Sequence, residues 1–291
     1  MQNIPELKSV CISCMIRSRL EQFPKEASDD IKVAYMQSVL EEVSKMKNQH
    51  GPTIATRHIY DMQKEMFGYN QSYWELRERF NRIMMEYEPQ LQRKIAESEN
   101  PLKMAVQYAI VGNYIDFWVM ENVDEGKLNE LLKEAPNYHI DENNLKSLHD
   151  EICNAKKIVY LLDNCGEIVI DKIMMELILK MNPDVKITAI VRGKEILNDA
   201  TMEDAVQIGL TNTVNVLHNN DDMPGTCLYR ISYEAKAEME SADFIISKGQ
   251  GNFETLQGCD LNVYYIFLCK CDMIANMFGV KKFSPMLVRQ L

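Results

Sequence analysis

The spacing of apolar residues along the chain changes near residue 156. Upstream, they recur every three or four positions, the period of a helix with one buried face. Tyr35, Met36, Val39, Leu40, Val43 and Met46 follow this spacing and predict a helix over 29–47. Gly51-Pro52 breaks the chain, and a second helix is expected over 54–67, ended by Gly68. Ser72 and Glu75 form a capping box for a long helix running through Met85 and Leu91. Its charged residues Arg77, Glu78 and Arg79 read as a solvated face. Asn100-Pro101 opens another helix, expected to continue through Asn113 and Asp116. Residues 122–150 are polar and predict two short helices joined by a loop.

Downstream, short β-branched runs alternate with helical stretches. Strands are expected over 158–162, 185–191, 213–217, 243–247 and 263–268. Helices are expected near 168–181, between Thr201 and Gly209, over 232–241 and up to Gly279. Strands joined by helices imply right-handed crossovers and a parallel sheet. The expected fold is therefore α/β, with a helical N-terminal domain over 1–97. A doubly wound, mostly parallel five-stranded sheet domain follows over 98–291, with 98–150 as a helical connection packed on it. A strand order such as 3-2-1-4-5 places strands one and four side by side at the switch point, where ligands bind.

Composition narrows the function. The chain has 291 residues, of which 46% are hydrophobic, enough for a sizeable core. A formal net charge of -11 argues against nucleic acid or an anionic membrane as the main partner. A small anionic substrate is compatible with that charge, because a bound cation and one lysine reverse the field locally. No apolar run spans a bilayer, and MQNIPELKSV lacks the features of a signal peptide. Eight cysteines in such a chain are expected as reduced thiols in a cytoplasmic protein. Cys11 and Cys14 form a CxxC, and with Cys269 and Cys271 a four-thiolate zinc site is conceivable. Buried thiols are the simpler reading. His139 and His149 have no partner at ligand spacing and are expected at the surface.

The candidate chemistry gathers at the carboxyl ends of the strands. Asp163 and Asn164 follow the first strand and Asp199 the second. Carboxylate and amide oxygens suit a hard divalent cation, although Asp163-Asn164 would also serve as a helix cap. Lys248 follows the fourth strand, where an ammonium would neutralise a phosphate. Gly249, Gly251 and Asn252 in KGQGN offer backbone N–H groups to an anion. Asn113 and Asp116 stand three residues apart, either as a structural polar contact or facing a metal or substrate, with Gly112 beside them permitting close backbone approach. Glu167 or Asp116 would accept a proton or orient water. Together these groups suggest metal-assisted phosphate hydrolysis.

Rival motifs are weaker. Gly249, Gly251 and Glu254 imitate a dinucleotide fingerprint without its last glycine and too late in the sheet. A haloacid-dehalogenase-type nucleophile at Asp163 would want an acid where Cys165 stands. Cys165 has no nearby histidine to activate it and reads as a small residue in a tight turn.

DNCGEIVID, LNDATMEDA, SKGQGNFETL and GNYIDF, with the N-terminal CxxC, resemble the metal-dependent damage-control phosphatases, long known as domain of unknown function 89. The CxxC is similar to that of the microbial branch. The resemblance spans nearly the whole chain. It implies a divalent metal (Mn²⁺, Co²⁺, Ni²⁺ or Mg²⁺) held by Asp163, Asn164 and Asp199, and a small phosphorylated metabolite as substrate. It also implies that Asn113, Asp116, Glu167, Lys248 and Asn252 line the pocket. The C-terminal GVKKFSPMLVRQL has Lys281, Lys282 and Arg289 but no equivalent of the sugar-phosphate grip of the eukaryotic branch. Two other classes stand beside the phosphatase: a non-hydrolytic nucleotide- or metabolite-binding module using KGQGN, and an S-adenosylmethionine-dependent carboxyl methyltransferase. The methyltransferase lacks a glycine-rich loop after the first strand.

Overall fold

The computed structural model describes residues 7–20, 27–46, 52–67, 74–114 and 125–290. Three helices come first: α1 (Ser9–Leu20), α2 (Asp29–Lys45) and α3 (Pro52–Phe67). Met15, Tyr35, Val39, Val43, Ala55 and Ile59 form their own small core. The long α4 (Trp74–Ala96) follows, then α5 (Pro101–Gly112), α6 (Glu125–Glu134) and α7 (Glu142–Asn154). Asn100 caps α5, its side chain accepting from the Lys103 N–H, with Pro101 in the first turn as expected.

The rest alternates as β1 (Lys157–Leu161), α8 (Glu167–Met181), β2 (Lys186–Val191), α9 (Met202–Gln207), β3 (Asn215–His218) and α10 (Tyr233–Glu240). It ends with β4 (Phe244–Lys248), α11 (Gln250–Leu256), β5 (Val263–Leu268), α12 (Asp272–Phe278) and β6 (Pro285–Gln290). The sheet order is β3-β2-β1-β4-β5-β6. The first five strands are parallel, in the order expected of a doubly wound sheet. Val159 lies level with Thr188 on one side and Ile245 on the other.

Strand residues alternate between two cores, because successive side chains leave a strand on opposite faces. Ile158 and Tyr160 join the core beneath α5 and α8; Val159 and Leu161 join the one beneath α10, α11 and α12. Both faces are thus covered, which explains the continuous apolar strands.

Three expectations change. A sixth strand, β6, runs antiparallel to β5, pairing Pro285 with Leu268 and Gln290 with Val263. Its proline stands at the first position of an edge strand, where a missing N–H is tolerated. Second, α5 ends at Gly112 and Asn113 is its C-cap, where the helix was expected to continue through Asn113. Third, Arg77 is not solvated: it is 3% exposed and paired with the buried Asp204 on α9. Phe80, Met84, Leu91 and Ile95 of α4 belong to the core under the sheet, so that core continues across residue 97. Asp116, Ser72, Gly51 and Gly68 lie outside the described residues.

The first three helices meet the α/β part along α11, α12 and the loop before α10. α3 packs against α11. Arg57 pairs with Asp222 at 2.9 Å, and the Cys11 thiol sits 3.8 Å from the Met273 sulfur. All eight cysteines are free thiols. Among the described residues no group of three or more His, Cys, Asp or Glu side chains gathers to hold a metal, so the four-thiolate zinc site is not formed. No described helix is long and apolar enough to cross a membrane. His139 and His149 are exposed, as expected.

Candidate active site

β1 and β2 are neighbours, so the turns leaving their carboxyl ends run side by side. Two backbone bonds stitch these turns together: Cys165 N–H donates to Asn198 O at 2.9 Å and Ala200 N–H to Asp163 O at 2.7 Å. Asn164 and Asp199 form an isolated antiparallel bridge. Residues 35 positions apart in sequence are thereby held as one constellation of two carboxylates and an amide.

The orientation of each donor has a cause. Asn164 Nδ2 donates to Asp163 Oδ2 at 2.7 Å and to Glu167 Oε2 at 2.9 Å. Two carboxylates on one side fix the amide, so its oxygen turns the other way, where Asn198 Nδ2 meets it at 2.8 Å. Asn113, at the end of α5, donates to Asp163 Oδ2 at 2.9 Å and to Glu167, while its own oxygen accepts from Leu268 N–H. Gly112 permits this approach: a Cβ there would stand 3.1 Å from Ile170 Cδ1 and 3.2 Å from Glu167 Cγ. Gly249 has φ +82°, and a Cβ on it would overlap the Asp163 carboxylate.

The constellation is short of positive charge. Burial pushes the Asp163 carboxyl well above its ordinary range, and Asp199 and Glu167 push the same way. Arg192 and Lys270 pull it down without restoring it. Oxygen donors crowded so that their anions repel are what a divalent cation relieves, and two carboxylates with an amide oxygen, which keeps a lone pair beside its bond from Asn198, are the donor types such a cation takes.

Glu167 and Lys248 stand beneath this layer. Both side chains are fully buried. The Lys248 ammonium donates to Glu167 Oε1 at 2.6 Å, Asp171 Oδ1 at 2.7 Å and Ala109 O at 3.0 Å. Three donors meet three acceptors, so Lys248 supports Glu167 from below instead of facing the crevice as expected. Asn252 is equally occupied, donating to Leu162 O and Lys248 O and accepting from Arg192 and Thr226. Gly251 packs its backbone beside Pro224. Cys165 is buried, and that burial, with Asp204 nearby, pushes its thiol well up, which suits the tight-turn reading rather than a nucleophile.

Several residues escaped the sequence reading. Arg192 is the first residue past β2 and reaches Asp199 Oδ2 at 2.6 Å. Lys270 follows β5 and acts on Asp163 from the same edge. Asn81, on α4, accepts from Gly166 N–H at 2.6 Å and so holds the DNCG turn from outside the sheet. The edge rule that picked out Asp163 and Asp199 applies equally to Arg192 and Lys270; nothing local marks Asn81.

The model of the family described as "Damage-control phosphatase ARMT1-like domain" matches residues 7–285. The chain belongs to this family. A damage-control phosphatase of Archaeoglobus fulgidus is 30% identical, covering 80% of this chain and 79% of that protein. Damage-control phosphatase PH1575 of Pyrococcus horikoshii is 30% identical over 94% of each chain. An uncharacterised protein of Methanocaldococcus jannaschii is 34% identical, covering 94% of this chain and 92% of that one. The crystal structure of the Pyrococcus horikoshii protein superposes with a TM-score of 0.83, covering 98% of this chain and 99% of that one, at 26% identity. Family membership accounts for the α/β architecture and supports a phosphatase role.

Proposed function

We propose that the protein is a metal-dependent phosphatase acting on phosphate esters of small metabolites. The observation that carries this reading is the stitched β1–β2 edge, which brings Asp163, Asn164 and Asp199 together with too little positive charge. These three residues would hold Mn²⁺, Co²⁺, Ni²⁺ or Mg²⁺. Such a cation, when bound, polarises a phosphoryl oxygen and neutralises developing charge.

The chain's own residues do the rest. Asn113 and Glu167 fix the Asp163 and Asn164 side chains, and Lys248 keeps Glu167 in place. Glu167 is sealed from solvent and serves as an orienting group, not as a base that meets water. Lys270 takes the phosphate-neutralising role expected of Lys248, because it lies at the same edge and is half-buried. Gly249 lets the start of α11 close over Asp163.

The test is phosphate release from a panel of sugar phosphates and other small phosphomonoesters, using chelator-treated protein with each metal restored in turn. Turnover should require the metal, and Asp163→Ala or Asp199→Ala should lower it by more than roughly a hundredfold. Metal-independent turnover, or full activity in Asp163→Ala, overturns the reading. Nucleotide binding without hydrolysis would favour the binding-module alternative instead.

A further inference from the structure

We infer that Arg192 is the positioning residue of the metal site, a fixed positive charge that sets the Asp199 carboxylate and links it to Thr226 and Asn252. The inference rests on the reading of Asp163, Asn164 and Asp199 as metal ligands.

An arginine at 1% exposure must have every donor accounted for, since an unpaired buried guanidinium is costly. The Arg192 Nε donates to Asp199 Oδ2 at 2.6 Å. Nη1 reaches Thr226 Oγ1 at 3.3 Å, Nη2 reaches Asn252 Oδ1 at 3.2 Å, and Nη2 lies 3.7 Å from Asp163 Oδ1. Thr226 in turn donates to Asn252 Oδ1 at 2.8 Å, closing a ring around the guanidinium. Its backbone is pinned as well: Arg192 N–H donates to Ala200 O at 2.9 Å, next to Asp199. The planar fork is thus fixed from β2, from the loop before α10 and from α11. This contact would keep Asp199 from swinging away from a bound cation, and the guanidinium beside Asp163 and Asp199 lowers their mutual repulsion. Supporting contacts of this kind typically contribute ten- to a hundredfold to metal affinity. A simple internal ion pair would contribute to stability but would leave the geometry of a bound metal unchanged.

The experiment titrates Co²⁺ into the chelator-treated full chain, reading binding heat and the visible absorption of the bound ion. Arg192→Gln should raise the Kd for Co²⁺ at least about tenfold and shift the absorption band, and Arg192→Lys, which keeps the charge but not the fork, should fall between. Thr226→Val removes one anchor without touching Asp199 and should give a smaller, roughly threefold rise. It decides the matter if the Arg192 variants do not fold. Wild-type affinity and absorption in folded variants overturn the inference. So does tighter Co²⁺ binding by Arg192→Gln, which would make Arg192 a repelling charge. Wild-type protein that binds no Co²⁺, or binding that survives Asp163→Ala, removes the metal reading itself and is distinguished by those controls.

Discussion

At the residue scale, the conformation of one glycine decides how close Asp163 comes to the start of α11. Gly249 sits at φ +82°, and the space a Cβ needs is filled by the Asp163 carboxylate. Gly249→Ala must therefore both strain the backbone and push the carboxylate aside. Displacement by about 1 Å costs on the order of a hundredfold in rate, so kcat with saturating metal should fall by that amount while the fold persists. Activity within a few-fold of wild type would show that Asp163 tolerates a shift. The KGQGN pattern suggested backbone donors at Gly249, whereas the structure shows its close approach to Asp163. Arg77 shows the opposite limit. An arginine on a helix of mixed charge reads as solvated, and only the arrival of Asp204, 127 residues later, makes its burial affordable.

At the scale of elements, the site is a stack in which each layer holds the one above. α8 supplies Glu167 and Asp171, one turn apart, and β4 supplies Lys248 between them. Burial alone would lower the Lys248 ammonium, but the Asp171 and Glu167 carboxylates outweigh it and push it up, so it stays charged. Burial carries Asp171 up to about 7 despite that lysine, and Tyr160 adds a donor at 2.8 Å. Lys248→Met leaves two carboxylates buried without their cation. Breaking such a pair costs about 3–5 kcal/mol, which for a chain of this size lowers Tm by roughly 10 °C. Calorimetry of the metal-free protein checks this, and an unchanged Tm would mean that the two acids share protons well enough without Lys248. The strand that ends in Lys248 was legible from its apolar run. The direction of its side chain was not, because a two-residue period places a strand's last residue on one face or the other only once the register is known. The β6 strand escaped for a related reason: an edge strand covered on one side carries polar residues such as Arg289 and Gln290 and begins with a proline, so its composition resembles a loop.

At the scale of the whole molecule, the parallel sheet followed from the alternation of strands and helices and its order from the doubly wound pattern, while the docking of α1–α3 did not, because contacts such as Arg57–Asp222 and Cys11–Met273 join residues 165 and 262 positions apart. Glu254 lies on α11, the helix that α3 packs against, and its charge reaches the Cys11 thiol of α1. Burial pushes its carboxyl from 4.5 up to about 7, with only a side-chain bond from Gln250, at 2.8 Å, opposing. A carboxyl raised in the folded state contributes fully to stability below about pH 4.5, where both states are protonated, and that contribution is lost as pH rises through about 7. Glu254→Gln removes the titration while keeping a polar group of the same shape. At pH 8 it should stabilise the protein by on the order of 2 kcal/mol, and the gain should shrink to nothing toward pH 4.5. Denaturant melts of wild type and variant across that range measure the difference directly. A gain independent of pH would assign the effect to packing, and a loss at pH 8 would mean that the Glu254 anion is held by a partner that outweighs its burial.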